Sequence, residues 1–232
     1  MFMKLVFSWD DGALEDQRLF ALHEKYEVPA MFFVPTKNRE GRKVLTPAII
    51  RSAESSLISF GGHTENHTFL TDIPLESVEQ EVLLNKQYLE DVLGHRVTDF
   101  CLPGGKYNQQ ILEVVARHYQ TIRTADTMNF RAETNLLKPS IHVYRRGRKS
   151  LLGNAFRHHS FAELAYLTTH LHKNYFELIQ GLLAFEQHRK DRTVIIWGHS
   201  WELEKFDLWN ETENLLRVAK EYQAASYKEL VP

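Results

Sequence analysis

An α/β fold built on parallel strands is predicted for this 232-residue chain. Three observations predict it. Short apolar runs alternate with amphipathic stretches along the whole chain. Val194-Ile195-Ile196-Trp197 is apolar without interruption, as a strand covered on both faces must be. Every chemically suggestive group, namely Asp10-Asp11, His63, Pro103-Gly104 and His199, directly follows a predicted strand. In parallel α/β folds the strand C-termini converge on the active site. A barrel and a doubly wound sheet both satisfy this alternation.

The elements follow in order. Leu5 to Trp9 reads as a strand and Leu14 to Tyr26 as a helix. Ala30 to Val34 is a second strand between Pro29 and Pro35, and Leu57 to Phe60 a third, expected to stop at Gly61-Gly62. Pro74 to Leu93 is a helix: Val78, Val82, Leu89 and Leu93 recur at helical spacing and Gly94 ends it. Asp99 to Leu102 is a strand, Asn108 to His118 a helix, and Gln120 to Thr124 a strand. Ser140 to Tyr144 is a strand leading into a basic loop, Arg145 to Lys149. Phe161 to His188 is helical with a break near Asn174, and Glu211 to Tyr222 is the last helix.

Composition narrows the classes. Apolar residues make up 43%, charged residues 25% and the net charge is -2, as in an ordinary globular protein. With no long run of one sign, neither nucleic acid nor an anionic membrane is expected as partner. The single cysteine, Cys101, excludes an intrachain disulfide framework. No apolar stretch approaches a membrane span, and the first residues lack a signal-peptide pattern, so a cytoplasmic location is expected.

Three clusters carry chemistry. His63 and His67 have i, i+4 spacing, which on a helical turn places two imidazoles within reach of one metal ion. The glutamate between them is misplaced for the H-E-x-x-H protease pattern. Asp10-Asp11-Gly12 sets two carboxylates at a strand end. Both face one site only if the backbone bends, which Gly12 eases; a helix cap is the alternative. His199 ends a buried strand, placed for acid–base work or for a core hydrogen bond.

Taken together these clusters resemble the polysaccharide deacetylases, the family that includes chitin and peptidoglycan deacetylases. Phe7 to Gly12 resembles its T-F-D-D-G motif, and Gly62 to His67 matches its H-[ST]-x-x-H motif. Leu102 to Gly105 partly resembles R-x-P-Y-G, and Trp197-Gly198-His199 sits where L-x-H falls. The resemblance implies a distorted (β/α) barrel of about seven parallel strands, with residues 1–232 as one catalytic domain. It implies a metal-dependent N-deacetylase acting on an N-acetylated sugar or oligosaccharide, with cell-surface polysaccharide biosynthesis as a fitting setting. Asp11, His63 and His67 would hold one divalent metal, Zn2+ by the family's habit. Asp10 would be the base, His199 the acid, and the Gly104 N–H an oxyanion donor. Trp201 and Glu202, directly after His199, are candidates for a sugar-binding wall.

The chain departs from the family pattern at the motif arginine, where Cys101 stands, and at the motif tyrosine, where Gly104 stands. Lys106, Arg123 and Arg146 are the basic residues available to replace the arginine. Cys101 reads as a small buried residue, and His158, His159, His170 and His172 as solvated. Arg145 to Lys149 reads as a solvated loop, with a phosphate clamp as the alternative. Two other functions compete: a glycan-binding relative with impaired chemistry, and a hydrolase of a non-sugar amide. An iron(II) facial triad also uses two histidines and a carboxylate, but the strand–helix alternation argues against it.

Overall fold

The computed structural model describes residues 3–131, 135–222 and 224–230. Eight strands form one sheet: β1 (Lys4–Trp9), β2 (Ala30–Val34), β3 (Ile58–Gly62), β4 (Asp99–Cys101), β5 (Thr121–Arg123), β6 (Leu136–Leu137), β7 (Ile141–His142) and β8 (Thr193–Gly198). Their order is β6-β5-β4-β3-β2-β1-β8-β7, and every pairing is parallel. The sheet curls into a barrel left open between β6 and β7, with one strand more than the seven or so expected. The helices are α1 (Asp16–Tyr26), α2 (Pro47–Ala53), α3 (Leu75–Leu93), α4 (Gln109–Ala116), α5 (Arg148–Arg157), α6 (Phe161–Thr169), α7 (Tyr175–Glu186), α8 (Ser200–Lys205) and α9 (Trp209–Ala219). None of the described helices is long and apolar enough to cross a membrane.

Side chains alternate across a strand, and the two parities build two cores. Leu5, Phe7 and Trp9 of β1 and Val194 and Ile196 of β8 join the core between sheet and helices. Val6 of β1, Met31 and Phe33 of β2, Cys101 of β4 and Ile195 of β8 pack together inside the barrel. That inner cluster is completed by Ala225, Tyr227 and Leu230 near the chain's C-terminus, where the Ala225 N–H donates to the Leu5 carbonyl (2.8 Å).

Several expectations are corrected. Gly61 and Gly62 lie inside β3 instead of stopping it. A Cβ at Gly61 would meet the Phe33 ring at 2.6 Å, and one at Gly62 the Tyr119 hydroxyl at 2.2 Å. The glycines therefore make room for neighbouring side chains, a demand that local propensity does not record. The basic segment is loop only to Gly147, since α5 begins at Arg148. Helices α2, α5 and α8 and strand β6 have no counterpart among the expected elements; α2 carries Thr46 as N-cap and Pro47 at its first turn.

Candidate active site

Asp10 continues the inward parity of Val6 and Ser8, and His63 and His199 continue the inward parity of β3 and β8. Cys101 and Arg123 face inward as register partners on β4 and β5. Five chemically active side chains thus meet in the barrel mouth because they share a parity. Asp11 would fall on the other side, but its φ of 76° and the 56° of Gly12 turn the backbone back toward the mouth. Such left-handed backbone at a non-glycine residue costs roughly 1 kcal/mol or more and concentrates at functional sites.

His63 and His67 do not lie on a helical turn. They sit in the loop after β3, where Thr64 (φ 68°) and His67 (φ 54°) are left-handed and bring the rings to 5.0 Å. Their Nε2 atoms lie 3.4 Å and 2.9 Å from the same oxygen, Asp11 Oδ1. The other Asp11 oxygen, Oδ2, accepts from the Trp201 indole N–H (2.8 Å). His63 Nδ1 donates to the Cys101 carbonyl (2.8 Å), which leaves the Nε2 lone pair facing Asp11. The Asn85 amide oxygen accepts the His63 backbone N–H (2.7 Å), and its NH2 donates to the Val34 carbonyl (3.0 Å). Two imidazole nitrogens and one carboxylate oxygen, all buried and within 4.8 Å of one another, fit a divalent transition metal such as zinc. One other grouping of donors suits an ion less well. The one formed by Asp10, His63 and Cys101 includes a carboxylate already bound to a guanidinium and a thiol whose pKa is pushed up by burial and by Asp10.

Asp10 is paired with Arg123, whose Nη2 reaches both carboxylate oxygens. The guanidinium is wholly buried, lies between the rings of Phe33 (5.3 Å) and Trp197 (4.9 Å), and donates to the Thr124 carbonyl (2.8 Å). Burial favours the protonated acid, but Arg123 foremost, with His63 and His199, overcomes it and holds the Asp10 pKa below its ordinary value. The motif cation is therefore present, carried by Arg123 on β5 instead of residue 101 on β4. Cys101 fills the vacated space, and its thiol lies 3.5 Å from Asp10 Oδ2. Lys106 instead stacks on Phe69 (4.6 Å), and Arg146 donates to His142.

At the end of β8, beside β1, His199 Nε2 lies 4.0 Å from Asp11, and its Nδ1 bonds Glu202 Oε2 (2.7 Å). Burial opposes charging of His199, yet Asp11 and then Glu202 outweigh it and raise its pKa to about 9. A cation held by Asp11 would remove the first of these attractions. Burial works to raise the Glu202 pKa, and His142 and His199 together bring it down to about 2. Glu202 also lies 3.0 Å from His142 Nε2. Its carboxylate is turned inward onto the two histidines, which is not the outward pose expected of a sugar-binding wall. Trp201 does line the cleft, with Arg42 stacked on its ring (4.1 Å).

The cleft has a volume of about 350 Å³ and is walled by Gly104 and Phe69 among others. Gly104 has a φ of 62°, and a Cβ there would meet the Phe69 ring at 2.9 Å. A tyrosine at this position would be strained, so glycine and Phe69 form one unit. Sequence reasoning missed His142, Asn85, Arg42 and Phe69 because no local pattern marks a residue that acts by bracing another.

A parallel barrel with a His–His–Asp cluster at its mouth, beside a buried carboxylate and a half-buried imidazole, has the architecture of the carbohydrate esterase barrels. Residues 3–122 match the polysaccharide deacetylase family, and the chain belongs to that family. A search among curated proteins finds no significant match. Among solved structures, the Streptococcus pyogenes deacetylase PplD in complex with acetate is 23% identical, with a TM-score of 0.54 over 58% of this chain and 62% of that one. The match therefore spans less than two thirds of that relative. The family 4 carbohydrate esterase from Streptomyces lividans, in complex with acetate, is 13% identical, with a TM-score of 0.55 over 94% of this chain and 86% of that one. A family 4 pseudoenzyme from Bacillus anthracis is also 13% identical, with a TM-score of 0.54 over 99% of this chain and 65% of that one. Identities this low establish a shared fold.

Proposed function

We propose that the protein is a metal-dependent hydrolase that removes the acetyl group from an N-acetylated sugar or oligosaccharide. The observation that carries this reading is that Asp10, His199 and the Asp11–His63–His67 cluster line one cleft. Asp11 Oδ1 and the Nε2 atoms of His63 and His67 would hold the ion, with Zn2+ best suited to two imidazoles and a carboxylate. When bound, such an ion supplies Lewis-acid polarisation of the amide carbonyl and acidifies water.

The remaining chemistry belongs to the chain. Asp10, kept ionised by Arg123, takes a proton from the attacking water. The Gly104 N–H, at the cleft wall, donates to the developing oxyanion. His199, held by Glu202, gives a proton to the departing amine as the C–N bond breaks. Water and amide thus become acetate and a free amino sugar. Trp201 offers an aromatic face to the sugar while its N–H fixes Asp11. Glu202 serves as the positioning residue for His199. A non-catalytic, glycan-binding reading draws on Cys101, but Arg123 supplies the cation that position lacks, and binding alone has no use for a carboxylate–guanidinium pair beside an imidazole.

Acetate release from N-acetylchitooligosaccharides tests the proposal. Release should require metal, cease on chelation and return with Zn2+. It should fall by about 10²–10⁴-fold in Asp10→Asn, the usual range for loss of a general base. Release that survives chelation, or that Asp10→Asn leaves intact, would overturn this mechanism.

A further inference from the structure

A second cavity, of about 170 Å³, adjoins the catalytic cleft. Arg146 lines both. Around the second cavity stand Arg145, Arg146 and Arg148 from the loop after β7 and the start of α5, and Lys173 from the α6–α7 loop. Among the described residues no Asp or Glu lines it. Among the described residues none of these four cations forms an ion pair with a carboxylate, although elsewhere Arg42, Arg123, Arg189 and Arg192 all do. The concentration is local, since the whole chain has a net charge of -2.

Two of the four are held in place. Arg148 donates to the Leu167 carbonyl (2.6 Å), which covers the C-terminal end of α6 with positive charge. Arg146 donates from Nε to His142 Nδ1 (3.2 Å). His142, accepting at Nδ1, presents its Nε2 to Glu202, which holds His199. Arg146 is thus connected by side chains to the catalytic imidazole while facing the second cavity. Glu177 on α7 accepts the Lys173 backbone N–H (2.9 Å) and does not line the cavity.

Cations gathered without counter-charge repel one another, and an anion relieves that repulsion. Guanidinium forks suit phosphate oxygens, which accept paired N–H bonds. The cavity is several times the roughly 30 Å³ share of one water, enough for one or two phosphoryl groups. One carboxylate would leave most of the positive charge unmatched, whereas a pyrophosphate offsets about half of it as a substrate-borne diester and most of it when free.

We infer that this cavity binds a phosphate or pyrophosphate carried by the acetylated substrate itself, with Arg146 shared between the anion site and the catalytic cleft. The inference rests on the deacetylase reading for its substrate and deepens it: the substrate class is a phosphate-linked N-acetyl sugar. The basic segment is then a phosphate clamp, the alternative that sequence alone ranked second.

Calorimetric titration of the full chain with inorganic pyrophosphate tests the anion site whether or not acetate is released. The expected result is one site whose affinity falls steeply with salt, falls at least tenfold in the Arg145→Gln/Lys173→Gln variant, and is retained in His67→Ala. Both substituted side chains are exposed, so a melting temperature close to that of the parent shows that the variant is folded. Absence of pyrophosphate binding, equal binding by the double variant, or its loss in His67→Ala would overturn the site. A second arm compares KM for UDP-N-acetylglucosamine and N-acetylglucosamine 1-phosphate with that for neutral N-acetylchitotriose. The ratio of phosphate-linked to neutral KM should rise at least fivefold in the double variant, and the diphosphate and monophosphate substrates tell the two phosphate sources apart. An unchanged ratio would overturn the substrate assignment even where pyrophosphate binds.

Discussion

Residues 3–122 and the residues beyond them contribute differently to one site. The first part matches its family and supplies the residues proposed as metal ligands and base from loops directly after β1 and β3. The second part supplies the groups that pair with or surround those residues: Arg123, His142, His199, Trp201 and Glu202. The match ends one residue before Arg123. The comparison teaches that a donor set tolerates little movement, because three ligand atoms must meet at one point. A supporting charge can move to the next strand, provided that its new position has the same parity and register. Cys101 and Arg123 are such partners.

The sharpest way to break this comparison is at Arg123. Arg123→Gln leaves Asp10 buried without its cation, and loss of one partner of a buried pair costs about 3–5 kcal/mol. Denaturant unfolding should show that loss, and acetate release should fall by about 100-fold as Asp10 loses its charge stabilisation. Adding Cys101→Arg on that background should recover at least about tenfold of the activity, since the guanidinium then reaches the base from β4. Failure of the double variant to regain activity would show that the two strands are not equivalent.

A smaller effect separates histidines that the chemistry uses from one that it does not. His23 is buried, accepts at Nε2 from the Trp9 indole N–H (2.8 Å) and donates from Nδ1 to the Val28 carbonyl (2.8 Å). Burial outweighs the Val28 bond and lowers its pKa to about 4, against 6.5 for the free side chain. The unfolded chain therefore binds a proton that the folded one refuses. The stability this contributes is fully present above pH 6.5 and is lost as the pH falls toward 4, by about 3 kcal/mol in all. NMR titration should show the His23 ring unprotonated at pH 5.5; a midpoint near 6.5 would contradict the assignment.

The smallest effect concerns Glu202. Glu202→Gln keeps a hydrogen-bond acceptor for His199 but removes the charge, so kcat should fall by about tenfold with KM little changed. A rise in KM at constant kcat would return Glu202 to the sugar-binding role its position in sequence suggested.

Much of the fold was legible because periodicity records burial. β2 was read to the residue, and β1, α3 and β8 to within a residue or two. The site ligands were legible as motifs. Their geometry was not: the helical turn assumed for His63 and His67 is a loop with left-handed Thr64 and His67, a conformation rare for threonine and uncommon even for histidine. Arg123 was one of three candidate cations, and only the β4–β5 register distinguishes it from Lys106 and Arg146. Glu202 was noticed for adjacency to His199, while its inward orientation depends on His142, 60 residues away in sequence and delivered by β7.

The gap between β6 and β7 bears on how the protein behaves in a crowded solution. An unclosed sheet exposes two borders to which another chain can add a strand, the usual route to runaway assembly. Here each border strand is two residues long, Leu136–Leu137 on one side and Ile141–His142 on the other. So short a ledge offers a newcomer very few backbone hydrogen bonds, too few to repay the ordering of an incoming segment. The barrel can therefore stay open at its seam without becoming a template for aggregation.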